Sequence, residues 1–359
     1  MKCGKKILMV DERQKIDVAR TVANYAIVLM HAWAAQQYVA VGTCEYRAWD
    51  FVCNAMTAIV LPALFLISGY LMMHNFRPAA YGTKVGRRVK RLLIPYVAWN
   101  VTFVAFYLCI YRFVPRMRER VEGFGLTSWQ GSFYKVFSLM MDPIDMPTWF
   151  MRTLMLYALL SLPMWFLLRK WKGVLAYVAL AAWFLLTLQM EWGVSLRFTY
   201  PFYSILCFTI GAHMFLVGKS PFDVFKSRAW LLVAVVGAAG LFWHNIQWHW
   251  NYSPVRDISF MLMLPGLFAA SSFWCRLVSH VPNWDFFRRS SFFLYTGHFL
   301  FCSCVLHVLA PKFAGWQGPG KLTFLIIVFC TLGVAVNLGV YWIGRKLFGK
   351  WFGIWDGSL

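Results

Sequence analysis

Long runs without any charged residue recur along the chain and dominate its pattern of apolar and polar positions. Ten of them, each 16 to 27 residues long, occupy 21–44, 51–76, 92–111, 153–168, 173–190, 198–218, 229–255, 258–275, 290–311 and 322–344. About 20 apolar residues cross a bilayer as an α-helix, and the shortest run reaches that length if it starts at Trp149. Backbone polar groups inside a bilayer must bond to one another. The pattern therefore predicts an all-α integral membrane protein, a bundle of about ten transmembrane helices.

The composition supports this class. The 359 residues are 60% hydrophobic and 14% charged, whereas soluble domains carry roughly a quarter charged residues. The first run is too long, and too polar inside, for a cleavable signal peptide, so we expect it to remain as helix 1. No low-complexity linker divides the chain. We therefore expect a single transmembrane domain, 1–359.

The formal net charge of +21 is unevenly placed along the chain. If the N-terminus faces the cytoplasm, 24 of the 35 Lys and Arg residues fall on that side of the predicted helices and 11 on the other. This positive-inside asymmetry predicts that both termini are cytoplasmic, in a multi-pass protein of the inner (cytoplasmic) membrane. Such placement favours the anionic lipid bilayer or an anionic cytosolic ligand, and not nucleic acid, as the partner of the charge.

Polar residues share one face of the first predicted helix: Asp17, Arg20, Asn24 and His31. Arg20 and His31 are about three turns apart, which separates them by roughly 16 Å along the axis. Ionisable groups at membrane depth are costly and are candidates for function. An imidazole with a pKa of about 6.5 suits general-base catalysis on an attacking hydroxyl. A structural interpretation stays open, with Asp17 and Arg20 as an ion pair and His31 bonded to a neighbouring helix.

Basic residues precede the third predicted helix. Arg88 and Arg91 are three positions apart and share a face, with Arg87 beside them. Guanidinium groups donate paired hydrogen bonds to phosphates, although topology alone also predicts basic residues at a cytoplasmic helix end. On helix 2, the small residues Ser68 and Gly69 indicate either a ligand channel or close helix packing.

In this order the residues resemble the membrane acyltransferase 3 family. The matching elements are Arg20 with His31, FLISGYL at 65–71, Arg88 and Arg91 followed by LLIPY at 92–96, PTWF at 147–150, Phe208 with Gly211, and Ser291 through Tyr295 to His298. The resemblance covers nearly the full chain. It implies transfer of an acyl group, most often acetyl, from coenzyme A to a hydroxyl of a carbohydrate or related envelope molecule. Many relatives carry an extracytoplasmic hydrolase-like domain, and this chain resembles the stand-alone branch.

The resemblance also implies essential positions at Arg20, His31, Arg88 and Arg91. We accordingly expect His31 and Arg20 as catalytic residues of a single transmembrane acyltransferase domain. Acyl-CoA, in the first place acetyl-CoA, is the expected co-substrate, and Arg87, Arg88, Arg91 and Ser68 are its expected binding residues.

The acceptor site is less clearly marked in the sequence. We expect Trp149, Arg152 and His298 to contact the carbohydrate. For Arg152 the reason is its depth, because a guanidinium one turn into a membrane helix needs a partner. Asp142 and Asp145 either orient sugar hydroxyls or cap a turn. The nine cysteines lack zinc-ligand spacing, so we expect no metal. A polytopic exporter of a glycan or lipid-linked precursor, without acyl chemistry, is the alternative function.

Overall fold

The computed structural model describes residues 10–40, 42–113, 118–123, 125–126, 128–137, 143–178, 180–181, 202–248, 254–316 and 318–358. These residues form helices joined by turns, and none of them lies in a β-strand. We number the α-helices in chain order: α1 (Val10–His31), α2 (Cys44–Met73), α3 (Tyr81–Phe113), α4 (Arg118–Gly123), α5 (Trp129–Phe137), α6 (Trp149–Leu159), α7 (Ser161–Arg169), α8 (Phe202–Leu216), α9 (Pro221–Val224), α10 (Ala229–Trp248), α11 (Pro254–Ala269), α12 (Ser271–Ser279), α13 (Trp284–Leu309), α14 (Lys321–Val328), α15 (Val334–Phe348) and α16 (Gly353–Asp356).

Several of these helices are long and apolar enough to cross a membrane. Within the described ranges, five stretches meet that test: Cys44–Met73, Pro78–Phe113, Ala229–Ile246, Trp284–Phe313 and Lys321–Asp356. The number rises to seven if each of two bent pairs is one span, Met146–Leu159 with Ser161–Arg169 and Ile258–Ala269 with Ser271–Ser279. Parts of two predicted spans, at 182–201, lie outside the described residues. Ten spans therefore stay a prediction, while the all-helical class is confirmed for the described part.

The first predicted span, 21–44, differs in the structure. Helix α1 begins earlier, at Val10, and ends at His31, where a 3-10 helix over Ala32–Tyr38 takes over. Short 3-10 segments of this kind are frequent at the ends of α-helices, where backbone carbonyls lack α-helical partners. Arg20 and His31 consequently lie on one uninterrupted α-helix, and His31 is its last residue.

The predicted span 153–168 is broken between α6 and α7, whose axes meet at 57°. Pro163 lies in the first turn of α7 and has no N–H to donate to the carbonyl of Leu159, four residues earlier. That carbonyl instead accepts a hydrogen bond from the Tyr81 hydroxyl, at 2.6 Å. The proline therefore accounts for the bend, and Tyr81 satisfies the carbonyl that it leaves unbonded.

The described contacts divide the chain into two compact units. Unit 1 comprises Met1–Trp33, Gly42–Val85 and Leu156–Arg288, and unit 2 comprises Ala34–Val41, Gly86–Met155 and Arg289–Leu359. The prediction of a single functional domain stays a prediction.

Unit 1 is built around α2, which packs against α1, α8 and α11. Helices α2 and α8 approach so closely that a Cβ added at Gly69 would lie 1.9 Å from the carbonyl oxygen of Phe208. Reciprocally, a Cβ at Gly211 would lie 1.9 Å from the carbonyl oxygen of Leu66. Small residues permit this backbone contact. The FLISGYL segment and the Phe208–Gly211 pair thus face each other, and both glycines are required by packing.

Replacing Gly69 by alanine is expected to destabilise unit 1 by about 1–3 kcal/mol, because the added methyl forces two packed backbones apart. Thermal unfolding of the purified protein in detergent measures the effect. Gly86→Ala on α3 is the matched control, since its added Cβ meets nothing within 4 Å. Equal melting temperatures for the two variants would contradict the close α2–α8 contact.

Unit 2 holds α3, α13 and the C-terminal helix α16 together through aromatic and hydrogen-bonded contacts. The Trp99 indole N–H donates to the carbonyl of Trp355 at 2.9 Å, and the Trp355 indole N–H donates to Thr102 Oγ1 at 3.0 Å. Phe293 on α13 packs on Trp99, with ring centroids 5.1 Å apart. The Tyr295 hydroxyl donates to the carbonyl of Pro147. Two further sequence motifs, PTWF at 147–150 and Ser291–His298, are therefore in direct contact.

Candidate functional site

Arg20 and His31 lie on one face of α1 in unit 1. Eleven α-helical positions separate them by roughly 16 Å along the axis, as the sequence predicts. His31 is half-buried, and its Nδ1 lies 3.0 Å from the carbonyl oxygen of Ile27. A carbonyl only accepts hydrogen bonds, so Nδ1 carries the proton in the neutral ring and Nε2 carries the lone pair. His31 therefore presents Nε2 as the basic atom.

Arg20 has an exposed side chain, although Ala19 and Thr21 on either side of it are buried. An arginine in contact with lipid is costly, so an exposed arginine on a bundle helix is expected to face water or a ligand. Asp17, one turn earlier, lies 3.6 Å from the Nη1 atom of Arg288. The carboxylate of the predicted polar face is thus also close to Arg288, in the second turn of α13.

The rest of the unit 1 site is formed by α1 and α2. The Tyr70 hydroxyl donates to Glu12 Oε1 at 2.6 Å, and the Cys53 thiol lies 3.6 Å from the carbonyl oxygen of Leu29. These contacts fix α1 along the length of α2. Ser68 is half-buried beside Gly69. Gly69 therefore serves helix packing, while a ligand-channel role for Ser68 stays a prediction.

Unit 2 carries the predicted phosphate-binding arginines on α3. Arg87 and Arg91 are exposed and Arg88 is half-buried. Helical geometry places the three within an arc of about 100°, and Lys90 falls outside that arc. The structure therefore confirms that Arg88 and Arg91 share one helix face and adds Arg87 to it, while phosphate binding stays a prediction.

The predicted acceptor residues also lie in unit 2, and two of them are deeply buried. Arg152 on α6 is 2% exposed, and His298 on α13 is fully buried. The Nδ1 of His298 lies 2.8 Å from the carbonyl oxygen of Tyr295 and 3.1 Å from that of Leu294. These contacts hold the ring against its own helix. Trp149 is half-buried, with its ring edge against Phe150.

Asp145 has the most unusual environment in unit 2. Its side chain is fully buried, and neither carboxylate oxygen has a hydrogen-bond partner. Its backbone is held by Asn100 Oδ1, which accepts from the Asp145 N–H at 3.2 Å, and by Thr148, whose hydroxyl donates to the Asp145 carbonyl at 2.7 Å. The side chain therefore does not cap the turn, which was one of its two predicted roles. Asp142 lies outside the described residues.

Sequence reasoning did not select Asn337 on α15. Its side chain is fully buried, and both amide atoms lack a hydrogen-bond partner. A Cβ added at Gly297 would lie 3.0 Å from Asn337 Nδ2, so this amide packs directly on α13. The available signal was a single amide in an otherwise apolar run, which also fits ordinary helix packing.

No cluster of three His, Cys, Asp or Glu side chains able to hold a metal ion occurs among the residues that the structure describes. The expected absence of a metal therefore remains a prediction of the sequence.

The helices and the candidate site together define a polytopic helical membrane protein with basic and imidazole groups on its helix faces. The model of the acyltransferase 3 domain matches residues 13–341, nearly the whole chain. The chain belongs to the acyltransferase 3 family of membrane acyltransferases, which confirms the resemblance found in the sequence. No curated protein and no solved structure gives a significant match.

Proposed function

We propose that this protein is an O-acyltransferase of the inner (cytoplasmic) membrane. It moves an acyl group, in the first place acetyl, from acyl-CoA to a hydroxyl of a cell-envelope carbohydrate. The observation that carries this proposal is the shared α1 face of Arg20 and His31, in a chain that belongs to a family of membrane acyltransferases.

Charge supports coenzyme A as the carrier of the acyl group. Coenzyme A is a cytosolic polyanion, and the positive-inside pattern puts the basic end of α3 on the cytoplasmic side. On α3, Arg87, Arg88 and Arg91 supply guanidinium groups, which donate paired hydrogen bonds to phosphate, and on α1 Arg20 supplies another. The Arg20–His31 separation of roughly 16 Å is comparable to the length of the pantetheine arm. A donor whose phosphates bind at Arg20 therefore reaches His31 without moving its phosphates into the bilayer.

His31 then acts as the general base. Its Nε2 takes the proton from the acceptor hydroxyl as that oxygen attacks the thioester carbonyl. The new carbon–oxygen bond forms the ester, the carbon–sulfur bond breaks, and the proton passes from the imidazolium to the departing thiolate of coenzyme A. This reaction requires neither a covalent acyl-enzyme intermediate nor a further co-reactant.

Acetyl-CoA binding by the purified protein in detergent tests this function. We expect saturable binding by calorimetry, and much weaker binding of S-acetylpantetheine, because that compound lacks the nucleotide phosphates. A protein that binds neither compound would contradict the donor assignment and favour the exporter alternative.

A further inference from the structure

Unit 2 contains a partly open cavity of about 130 Å³ near the C-terminal ends of α3 and α13. Its walls come from the last turns of both helices and from the 3-10 segment Ala32–Tyr38, which contributes Ala34 and Gln37. Tyr107 lies sixteen residues beyond Arg91 on α3, so the cavity is roughly 24 Å along the helix from the arginines. The cavity and the three arginines Arg87, Arg88 and Arg91 therefore lie toward opposite ends of α3.

Aromatic rings form much of the cavity wall. Phe103 and Tyr107 lie one turn apart on α3, and Phe103 is nearly parallel to Phe299 of α13, with centroids 6.4 Å apart and planes at 21°. These flat apolar faces suit a ring-shaped ligand. An engineered cavity of about 150 Å³ admits a benzene-sized ring, so the volume here accommodates one six-membered ring.

Three polar, uncharged side chains interrupt an otherwise mostly apolar wall. Gln37, Ser303 and His307 line it, and none of its described lining residues is Asp, Glu, Lys or Arg. The Nδ1 of His307 lies 2.7 Å from the carbonyl oxygen of Ser303, so Nε2 carries the lone pair of the neutral ring. An amide, a hydroxyl and an imidazole beside aromatic faces suit the hydroxyls of a neutral ligand, and the wall supplies no countercharge for an anion.

We propose that this cavity binds one uncharged pyranose ring of the acceptor carbohydrate. The inference rests on the proposed function, and it adds where the acceptor is held: at the end of α3 away from the donor phosphates. Aromatic rings pack on the apolar face of the sugar, while Gln37, Ser303 and His307 bond to its hydroxyls. Ala34 and Gln37 follow His31 by only three and six residues along the chain. The 3-10 segment Ala32–Tyr38, which contributes to the sugar site, therefore follows directly after α1, the helix that carries His31.

Filling the cavity tests the proposal. Ser303→Phe places a ring in the space, and Val308→Phe on the same helix is the matched control because Val308 is exposed and outside the cavity wall. Two quantities are measured for each protein: acetyl-CoA binding by calorimetry, and transfer of radiolabelled acetyl to surface glycan in membrane vesicles. We expect Ser303→Phe to bind acetyl-CoA as the unmodified protein does and to transfer acetyl at least tenfold more slowly. Val308→Phe is expected to match the unmodified protein in both.

Gln37→Ala provides a second variant in case the larger ring prevents folding. It is expected to raise the KM for the glycan about tenfold, the effect of one lost hydrogen bond, with little change in kcat. Transfer at the normal rate and KM by both variants would overturn the sugar site. Failure of the unmodified protein to bind acetyl-CoA would instead overturn the proposed function, and this inference with it.

Discussion

Alanine in place of His31 is expected to slow acyl transfer by about 10²- to 10⁴-fold, the usual contribution of a positioned general base. The reason is the position of Nε2, which the contact between Nδ1 and the Ile27 carbonyl leaves as the basic nitrogen of the neutral ring. Alanine also removes this side-chain contact, but α1 keeps its packing on α2 through Tyr70 and Cys53. Transfer of radiolabelled acetyl in membrane vesicles measures the loss.

The variant must be shown to insert and fold. Detergent-solubilised His31→Ala should elute as a single species and bind acetyl-CoA with an unchanged dissociation constant, since the base does not hold the donor phosphates. His280→Ala is the matched control, because His280 is an exposed histidine at the end of α12. Normal transfer by His31→Ala would remove His31 from the mechanism, whatever the protein's other properties.

Alanine in place of Arg88 is expected to raise the KM for acetyl-CoA about 10- to 100-fold, the effect of losing a hydrogen bond to a charged group. A smaller change is expected in kcat, because the phosphates bind equally in the ground state and the transition state. Arg88→Lys should recover only part of the affinity, since an ammonium lacks the paired donors of a guanidinium. Initial rates at varied acetyl-CoA give both constants.

Lys90→Ala is the matched control for charge. Lys90 lies two residues from Arg88, is exposed, and falls outside the arc that Arg87, Arg88 and Arg91 share. Its loss removes one positive charge from the same turn without touching the arginine face. Equal KM values for acetyl-CoA in Arg88→Ala and Lys90→Ala would contradict phosphate binding by Arg88. The arginines would then only mark the cytoplasmic end of α3.

The sequence predicted what depends on positions within one helix. Arg20 and His31 share a face of α1, and Arg88 and Arg91 share a face of α3, because helical periodicity alone places them. The bend after α6 was also within reach, since Pro163 cannot donate to the carbonyl of Leu159. The end of α1 at His31 could not be predicted in this way, because a 3-10 segment and an α-helical segment can have the same apolar content.

Contacts between distant segments were beyond the sequence. The sequence left Gly69 open between a ligand channel and close packing, and only the structure shows that it meets Phe208 while Gly211 meets Leu66. Asp145 was a choice between two roles, and its buried, unbonded carboxylate removes the capping role. The cavity joins Gln37 to His307, 270 positions apart, and no periodicity within a helix connects them.

Mass spectrometry of surface glycan tests the central claim most directly, in cells that produce the unmodified protein, His31→Ala or neither. The account predicts ester-linked acyl groups on the glycan only with the unmodified protein, with a mass increment of acetyl in the first place. Glycan that carries the same acylation in all three strains, or with His31→Ala as fully as with the unmodified protein, would contradict it.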